Sequence, residues 1–204
     1  MSAQVVVAID GPAGSGKSTL ARGLAAALGL DVLDTGSMYR AVTALALRAG
    51  VDPADADKVA LLAETCEIEL DEGVVADGVE VTAELRSAEV NAAVSVVAAN
   101  PAVRTALVAR QRAWVLAHGG GVVEGRDIGT VVFPDATIKV FLTASDDERA
   151  RRRSDDEHAA SVARRDRLDQ GRRASPLRPA QDAHLLDTTG RDPDDVVAEV
   201  LTWL

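Results

Sequence analysis

A three-layer α/β fold, with a parallel sheet between two layers of helices, is predicted by three observations. Strand-like and helix-like segments alternate along most of the 204 residues, the pattern of a parallel sheet covered on both faces. The first strand, Gln4 to Asp10, runs straight into Gly11-Pro12-Ala13-Gly14-Ser15-Gly16-Lys17-Ser18-Thr19, whose spacing G-x-x-x-x-G-K-[ST] is that of a phosphate-binding loop between strand and helix. Hydrophobic residues make up 47% of the chain but aromatic residues only 2%, so Val, Leu, Ile and Ala must fill the core.

Five strand candidates make the sheet: Val5 to Ile9, Asp31 to Leu33, Val122 to Glu124, Ile138 to Leu142 and His184 to Leu186. Helices are expected over Lys17 to Leu28, Ser37 to Ala49, Asp57 to Thr65, Ser87 to Val97, Pro101 to Ala117, Asp146 to Arg153 and Pro193 to Trp203. Two helix starts are well signalled. Ser145 with Glu148 has the spacing of a capping box, and Asp192-Pro193 sets a cap residue before a proline at the first helical position. Two segments interrupt the alternation. Residues 52–100 carry turn signals and short polar strands (Glu67 to Leu70, Val74 to Val75, Glu80 to Thr82) and read as an inserted subdomain. Residues 154–176 are charged, contain few large apolar residues and read as a short lid, leaving residues 1–51, 101–153 and 177–204 as the core of a single domain.

In the phosphate-binding loop, Gly11, Gly14 and Gly16 let the backbone curl so that successive N–H groups face an anion, with the next helix adding the positive end of its dipole. Lys17 would reach the terminal phosphates of a nucleoside triphosphate such as ATP, and the Ser18 hydroxyl would ligate the accompanying Mg2+.

Charge narrows the partners. A net charge of −10 argues against binding to a nucleic-acid backbone, which needs a basic surface. From Arg149 to Arg178, however, ten arginines stand against five acids, an asymmetry that suits a small, highly anionic ligand. Cys66 is the only cysteine, so no disulfide framework or thiolate metal cluster is expected. No leader pattern and no apolar run long enough to span a bilayer are found, and a soluble, cytoplasmic, monomeric protein without a membrane partner is the expectation. Trp114 and Trp203 read as packing residues. His118, His158 and His184 lack metal-ligand spacing.

Further candidates gather at strand ends, where open parallel sheets bind ligands. Asp34-Thr35-Gly36-Ser37-Met38-Tyr39-Arg40 follows the second strand and is either a turn capped by Thr35 or Ser37 or an anion clamp built on Arg40. Glu124-Gly125-Arg126-Asp127-Ile128-Gly129 ends the third strand, and its two glycines fit either a tight backbone beside a ligand or a solvated Arg126–Asp127 pair. Ser87, Asn91 and Ser95 recur every four residues, opposite Val90, Val94 and Val97. The stripe is either a wet face or a polar wall that Arg104 faces from the next helix. Arg149 and Arg153 stand one turn apart, and Arg165, Asp169 and Arg172 share a helical face, either as a solvated surface or as part of a lid.

Together, the loop at Gly11 to Thr19, the segment Asp34 to Arg40, the run Glu124 to Asp135, Ser95 with Pro101-Ala102-Val103-Arg104, and the Arg165-to-Arg172 pattern resemble the bacterial cytidylate kinases. That resemblance covers nearly the whole chain. It implies the P-loop nucleoside monophosphate kinase fold, ATP as donor, CMP or dCMP as acceptor, Mg2+ as cofactor, and acceptor binding by the insertion. By the same resemblance Asp127, Arg104 and Ser95 would read the base, while Thr35, Arg40 and Arg126, with Tyr39 beside them, would hold the acceptor phosphate. Asp169, Arg165 and Arg172 would take the sugar, and Lys17, Arg149, Arg153 and Arg165 would stabilise the transferred phosphoryl. A carboxylate facing the cytosine amino group and an arginine facing its acceptors would leave uracil unpaired. No general base is needed, because the attacking phosphate oxygen is already ionised at neutral pH. The chain departs from the common family pattern in having Thr35 and Glu124 where serine and aspartate are more frequent, and in a trimmed lid, with eleven residues between Arg153 and Arg165. No guanine-reading N-K-x-D motif is present, which separates the chain from GTP-binding switches.

Overall fold

Strand β1 (Val5–Asp10) lies at the centre of a parallel sheet whose order is β2 (Val32–Asp34), β6 (Gly120–Gly125), β1, β7 (Ile138–Thr143), β8 (His184–Asp187). The structure, a computed structural model, describes residues 4–70, 73–152, 171 and 175–204. Because β1 pairs with β6 on one side and β7 on the other, the loop after β1 opens between chains that leave in different directions, the usual place for a ligand in such a sheet.

Contacts divide the chain into two compact units, Met1–Asp34 with Gln111–Leu204, and Thr35–Arg110. In the first unit Val7, Ile9, Val122, Val140 and Leu142 are fully or almost fully buried and meet Leu20 and Leu24 of α1 (Lys17–Leu28) and Val196 and Val200 of α7 (Pro193–Leu201). Burial of each such side chain contributes about 1.5–3 kcal/mol, so branched aliphatics supply most of the core, with Ala21 and Ala25 in it and Trp203 packed against it. Gly23 permits close approach of α1 and α7, since a Cβ there would lie 2.5 Å from Val197 Cγ2. Trp203 stacks on His184 at 4.2 Å, and Trp114 on His118 at 3.9 Å. Both tryptophans therefore act as packing residues.

The second unit contains α2 (Thr35–Arg48), α3 (Ala56–Thr65), α4 (Ala88–Ala99) and the first ten residues of α5 (Pro101–Ala117). It also holds a three-stranded antiparallel sheet of β3 (Ile68–Glu69), β4 (Val75–Ala76) and β5 (Val79–Glu80). The β4–β5 hairpin turns through Asp77 and Gly78, both at positive φ, as a two-residue hairpin loop requires. Helix α2 packs on α3 and α4 within this unit, so the unit starts earlier than residue 52 and ends later than residue 100. Its first turn is also already helical at Thr35, two residues before the expected start, because β2 passes into it without a loop.

Cap chemistry held at both signalled helix starts, with one change. Asp192 accepts from Asp194 N at 2.9 Å ahead of Pro193. Ser145 accepts from Glu148 N at 3.3 Å to open α6 (Asp146–Arg151). The Glu148 carboxylate does not complete a capping box: it pairs with Arg151 and Arg152, and the Ser145 N–H it would have taken donates to Thr189 Oγ1 at 2.8 Å.

Candidate active site

The phosphate-binding loop is shaped by its glycines and by what grips its carbonyls. Gly14 has φ +77°, and a Cβ there would sit 2.8 Å from the Arg149 carbonyl oxygen, so the position requires glycine. Five consecutive carbonyls each accept from a different side chain of the same unit. Arg126 Nη1 donates to Gly11 O at 2.8 Å, Lys17 Nζ to Pro12 O at 2.9 Å and Arg149 Nη1 to Ala13 O at 3.1 Å. Arg152 Nη1 reaches Gly14 O at 3.5 Å, and the Thr188 hydroxyl donates to Ser15 O at 3.1 Å. Four cations and a hydroxyl thus occupy the carbonyls of the loop, while Ser15 N donates to Pro12 O at 3.4 Å.

Two of these grips, Arg152 and Thr188, were missed from the sequence. Arg152 also donates to Glu148 Oε1 at 2.7 Å and to Thr188 Oγ1 at 2.9 Å. Nothing local distinguishes it from Arg151, which is exposed and pairs with Glu148.

At the end of β6, Glu124 is buried, and burial first, then the neighbouring Asp34 carboxylate, pushes its pKa up, against Lys17, a hydrogen bond with Ser18, and Arg22. Asp34 lies opposite Glu124 in the strand register. The Ser18 hydroxyl with these two carboxylates is an all-oxygen donor set that fits a hard cation such as Mg2+. Among the described residues no group of three or more His, Cys, Asp or Glu side chains gathers to hold a metal, so phosphate oxygens and water would have to complete its shell.

Beyond β6, the chain turns through Arg126 and Asp127 into a short π-helical turn, Ile128–Val132, that the sequence did not foretell. Asp127 is buried, which rules out the reading of a solvated Arg126–Asp127 pair. Arg126 instead reaches back to the phosphate-binding loop.

In the second unit, Arg40 donates to the Leu85 carbonyl and to Asn91 Oδ1 at 2.7 Å. Asn91 in turn donates to Arg86 O at 3.0 Å. Ser87 caps α4 by accepting from Val90 N at 3.2 Å. Asn91 and Ser95 are 7% and 5% exposed, so the polar stripe is not a wet face. Arg104 is equally buried, with its guanidinium 5.7 Å from the Tyr39 ring centroid, and Thr35 is buried at the start of α2. This unit therefore brings Tyr39 to Arg104 and Arg40 to Asn91, while the first brings Lys17, Arg126 and Arg149 to one loop. Arg153, Arg165, Asp169 and Arg172 lie outside the described residues. Cys66 is buried, and its carbonyl and sulfur accept from Arg110, an inert setting.

The cytidylate kinase family model matches residues 7–204. The chain belongs to the cytidylate kinase family. The chain is 52% identical to a cytidylate kinase of Mycobacterium avium (strain 104), covering 97% of this chain and 93% of that protein. It is 50% identical to a cytidylate kinase of Pelotomaculum thermopropionicum, covering 96% of this chain and 93% of that protein. Among solved structures, a gluconokinase from Sinorhizobium meliloti 1021 superposes with a TM-score of 0.56 at 13% identity, covering 98% of this chain and 91% of that one, a likeness of fold alone. Membership of the cytidylate kinase family makes the chain a phosphotransferase with ATP as donor. No single described helix is long and apolar enough to cross a membrane.

Proposed function

We propose that the chain transfers the γ-phosphoryl group of ATP to CMP or dCMP, giving ADP and CDP or dCDP. The observation that carries this reading is the loop at Gly11–Ser15, whose carbonyls are held outward by Lys17, Arg126, Arg149, Arg152 and Thr188. A loop with this spacing offers backbone N–H groups to a polyphosphate, and the cations that donate to its carbonyls would turn to the phosphates as these arrive.

An acceptor phosphate oxygen attacks the γ-phosphorus, and the bond to the β–γ bridging oxygen breaks, leaving ADP. With no proton to remove, the work is positioning and charge neutralisation. The Lys17 ammonium would follow the charge onto the leaving oxygen, and the Arg149 guanidinium would meet the transferred phosphoryl. Ser18, with Glu124 and Asp34 behind it, would hold Mg2+, which when bound supplies positive charge to offset that of the phosphates. Arg126, with Thr35, Tyr39 and Arg40, would hold the acceptor phosphate, and Asp127, Ser95 and Arg104 would read cytosine. Burial of Asp127, Ser95 and Arg104 supports their use in discrimination, because a mismatched base would leave buried polar groups unpaired. Residues 52–100 would serve acceptor binding and 154–176 would form the lid, with Arg153 and Arg165 on the phosphoryl and Asp169 and Arg172 on the sugar.

The experiment is an acceptor panel. The protein is incubated with ATP, Mg2+ and each of CMP, dCMP, UMP, AMP and GMP, then repeated with Asp127→Ala. CMP or dCMP should be turned over fastest, and the variant should lose that preference; turnover of AMP equal to that of CMP would defeat the specificity.

A further inference from the structure

Asp10, the last residue of β1, is 4% exposed. A carboxylate at the end of an otherwise apolar strand needs a reason, because burying it is costly unless it is well hydrogen-bonded. Its two oxygens accept separately: Oδ1 from Ile128 N at 2.7 Å and Oδ2 from Gly129 N at 2.8 Å. These are the first two N–H groups of the π-helical turn, which lack a partner within it. The next residue in the chain, Gly11, accepts from Arg126 through its carbonyl. Residues 10 and 11 thus grip residues 126, 128 and 129, with Asp127 between the grips.

The rest of the turn is fixed from other directions. Arg112 donates to the carbonyls of Val131 and Val132, each at 2.9 Å. Against Gly129 lies the stem of Lys139, so close that a Cβ would stand 3.1 Å from its Cδ, while Lys139 Nζ is tied to Asp182 at 2.7 Å. Those contacts hold the turn to α5 and β7, whereas the Asp10 carboxylate ties it to the strand that ends in the phosphate-binding loop. Only a carboxylate offers two acceptors in that fork; an asparagine would point an amide N–H at one of the two donors.

We propose that Asp10 is a positioning residue for phosphoryl transfer, its carboxylate setting the Arg126-Asp127 pair in register with the phosphate-binding loop. The inference rests on the reading of Arg126 and Asp127 as acceptor contacts. Four charged groups face Asp10 or its partners: Asp127, which opposes its ionisation; Lys17, which favours it; Arg126 on the adjoining carbonyl; and Lys139 beyond Gly129. Burial is the main cause of its raised pKa, about 6.

The test is Asp10→Asn, measured in steady state with ATP and with CMP or UMP as acceptor, beside Asp127→Ala. Loss of one of two hydrogen bonds should lower the ratio of kcat/KM for CMP to that for UMP by roughly fivefold, chiefly through KM for CMP, with KM for ATP changed less than about twofold. Equal increases in both KM values, or an unchanged ratio, would overturn the proposal. If Asp127→Ala also leaves the ratio unchanged, the acceptor reading itself has failed; if only Asp10→Asn does, the failure belongs to Asp10. Should Asp10→Asn not fold, the wild-type ratio is measured at pH 7.5 and 5.5, where the acceptors' phosphate titration cancels because it is common to both nucleotides. Protonating Asp10 should reduce the ratio about threefold or more, and a flat ratio would overturn the proposal.

Discussion

Arg152 donates through Nη2 to the Thr188 carbonyl at 2.8 Å and through Nη1 to the Thr188 hydroxyl at 2.9 Å, and that hydroxyl lies 3.1 Å from Ser15 O. The start of the last loop is thereby latched to the floor of the phosphate-binding loop. Arg152→Ala or Thr188→Val should raise KM for ATP roughly tenfold, in line with a charge-assisted bond, and leave KM for CMP nearly unchanged. Arg151→Ala, one residue away, should alter neither, since its ion pair with Glu148 is exposed. Initial rates over a grid of both substrates check this.

Ser15 gives the opposite expectation. Its hydroxyl is buried and has no hydrogen-bond partner among the described residues, and under the proposed function the residue would serve ATP through its backbone. Ser15→Ala should change stability by less than about 1 kcal/mol and KM for ATP by less than about twofold, because no bond is lost. A larger rise in KM for ATP would mean that the hydroxyl itself touches the nucleotide.

The pH dependence of stability should carry the mark of Asp10. Its folded pKa of about 6 lies above the unfolded value of 3.8, so between those values the folded state holds a proton that the unfolded state has released. Its contribution therefore falls as pH rises from about 4 to 6 and then levels off, by about 3 kcal/mol in total. Other carboxylates, such as Asp182 beside Lys139 and Asp187 beside Thr189, are shifted down and act in the reverse sense. Urea melts of wild type and Asp10→Asn at pH 4, 5, 6 and 7 isolate the term: the difference between the two curves should shrink or change sign across that window, and parallel curves would refute it.

In the second unit, Asn91 both accepts from Arg40 and donates to Arg86 O. Asn91→Ala should destabilise the protein by about 2 kcal/mol by removing two partly buried hydrogen bonds. It should also raise KM for CMP several-fold by loosening Arg40, with KM for ATP spared. Chemical denaturation and the same kinetic grid report the two effects separately.

Some of this was legible in the sequence because the physics is local. The spacing from Gly11 to Ser18 determines a loop, a strand before it and a helix after it, and all three are found. Periodicity revealed the stripe of Ser87, Asn91 and Ser95, yet could not say that it is buried, since what covers a helix face is set elsewhere in the chain. Pairings across long separations left no trace at all: Arg126 meets Gly11 across 115 positions, and Thr188 meets Ser15 across 173. Asp10 did leave a trace, as a lone charge closing an apolar strand, and it passed as a strand end because its partners are N–H groups of a π-helical turn with no compositional signature.

The five gripped carbonyls also bear on how the site comes into being. Their donors arrive from α1, the exit of β6, the helix after β7 and the exit of β8, so the full set of grips on the motif at residues 11–19 draws on segments from nearly the entire polypeptide. A fragment ending before Thr188 would carry every residue of the signature and still lack the latch under Ser15, which makes nucleotide affinity in such fragments a gauge of how far tertiary structure, rather than the motif itself, creates the cradle.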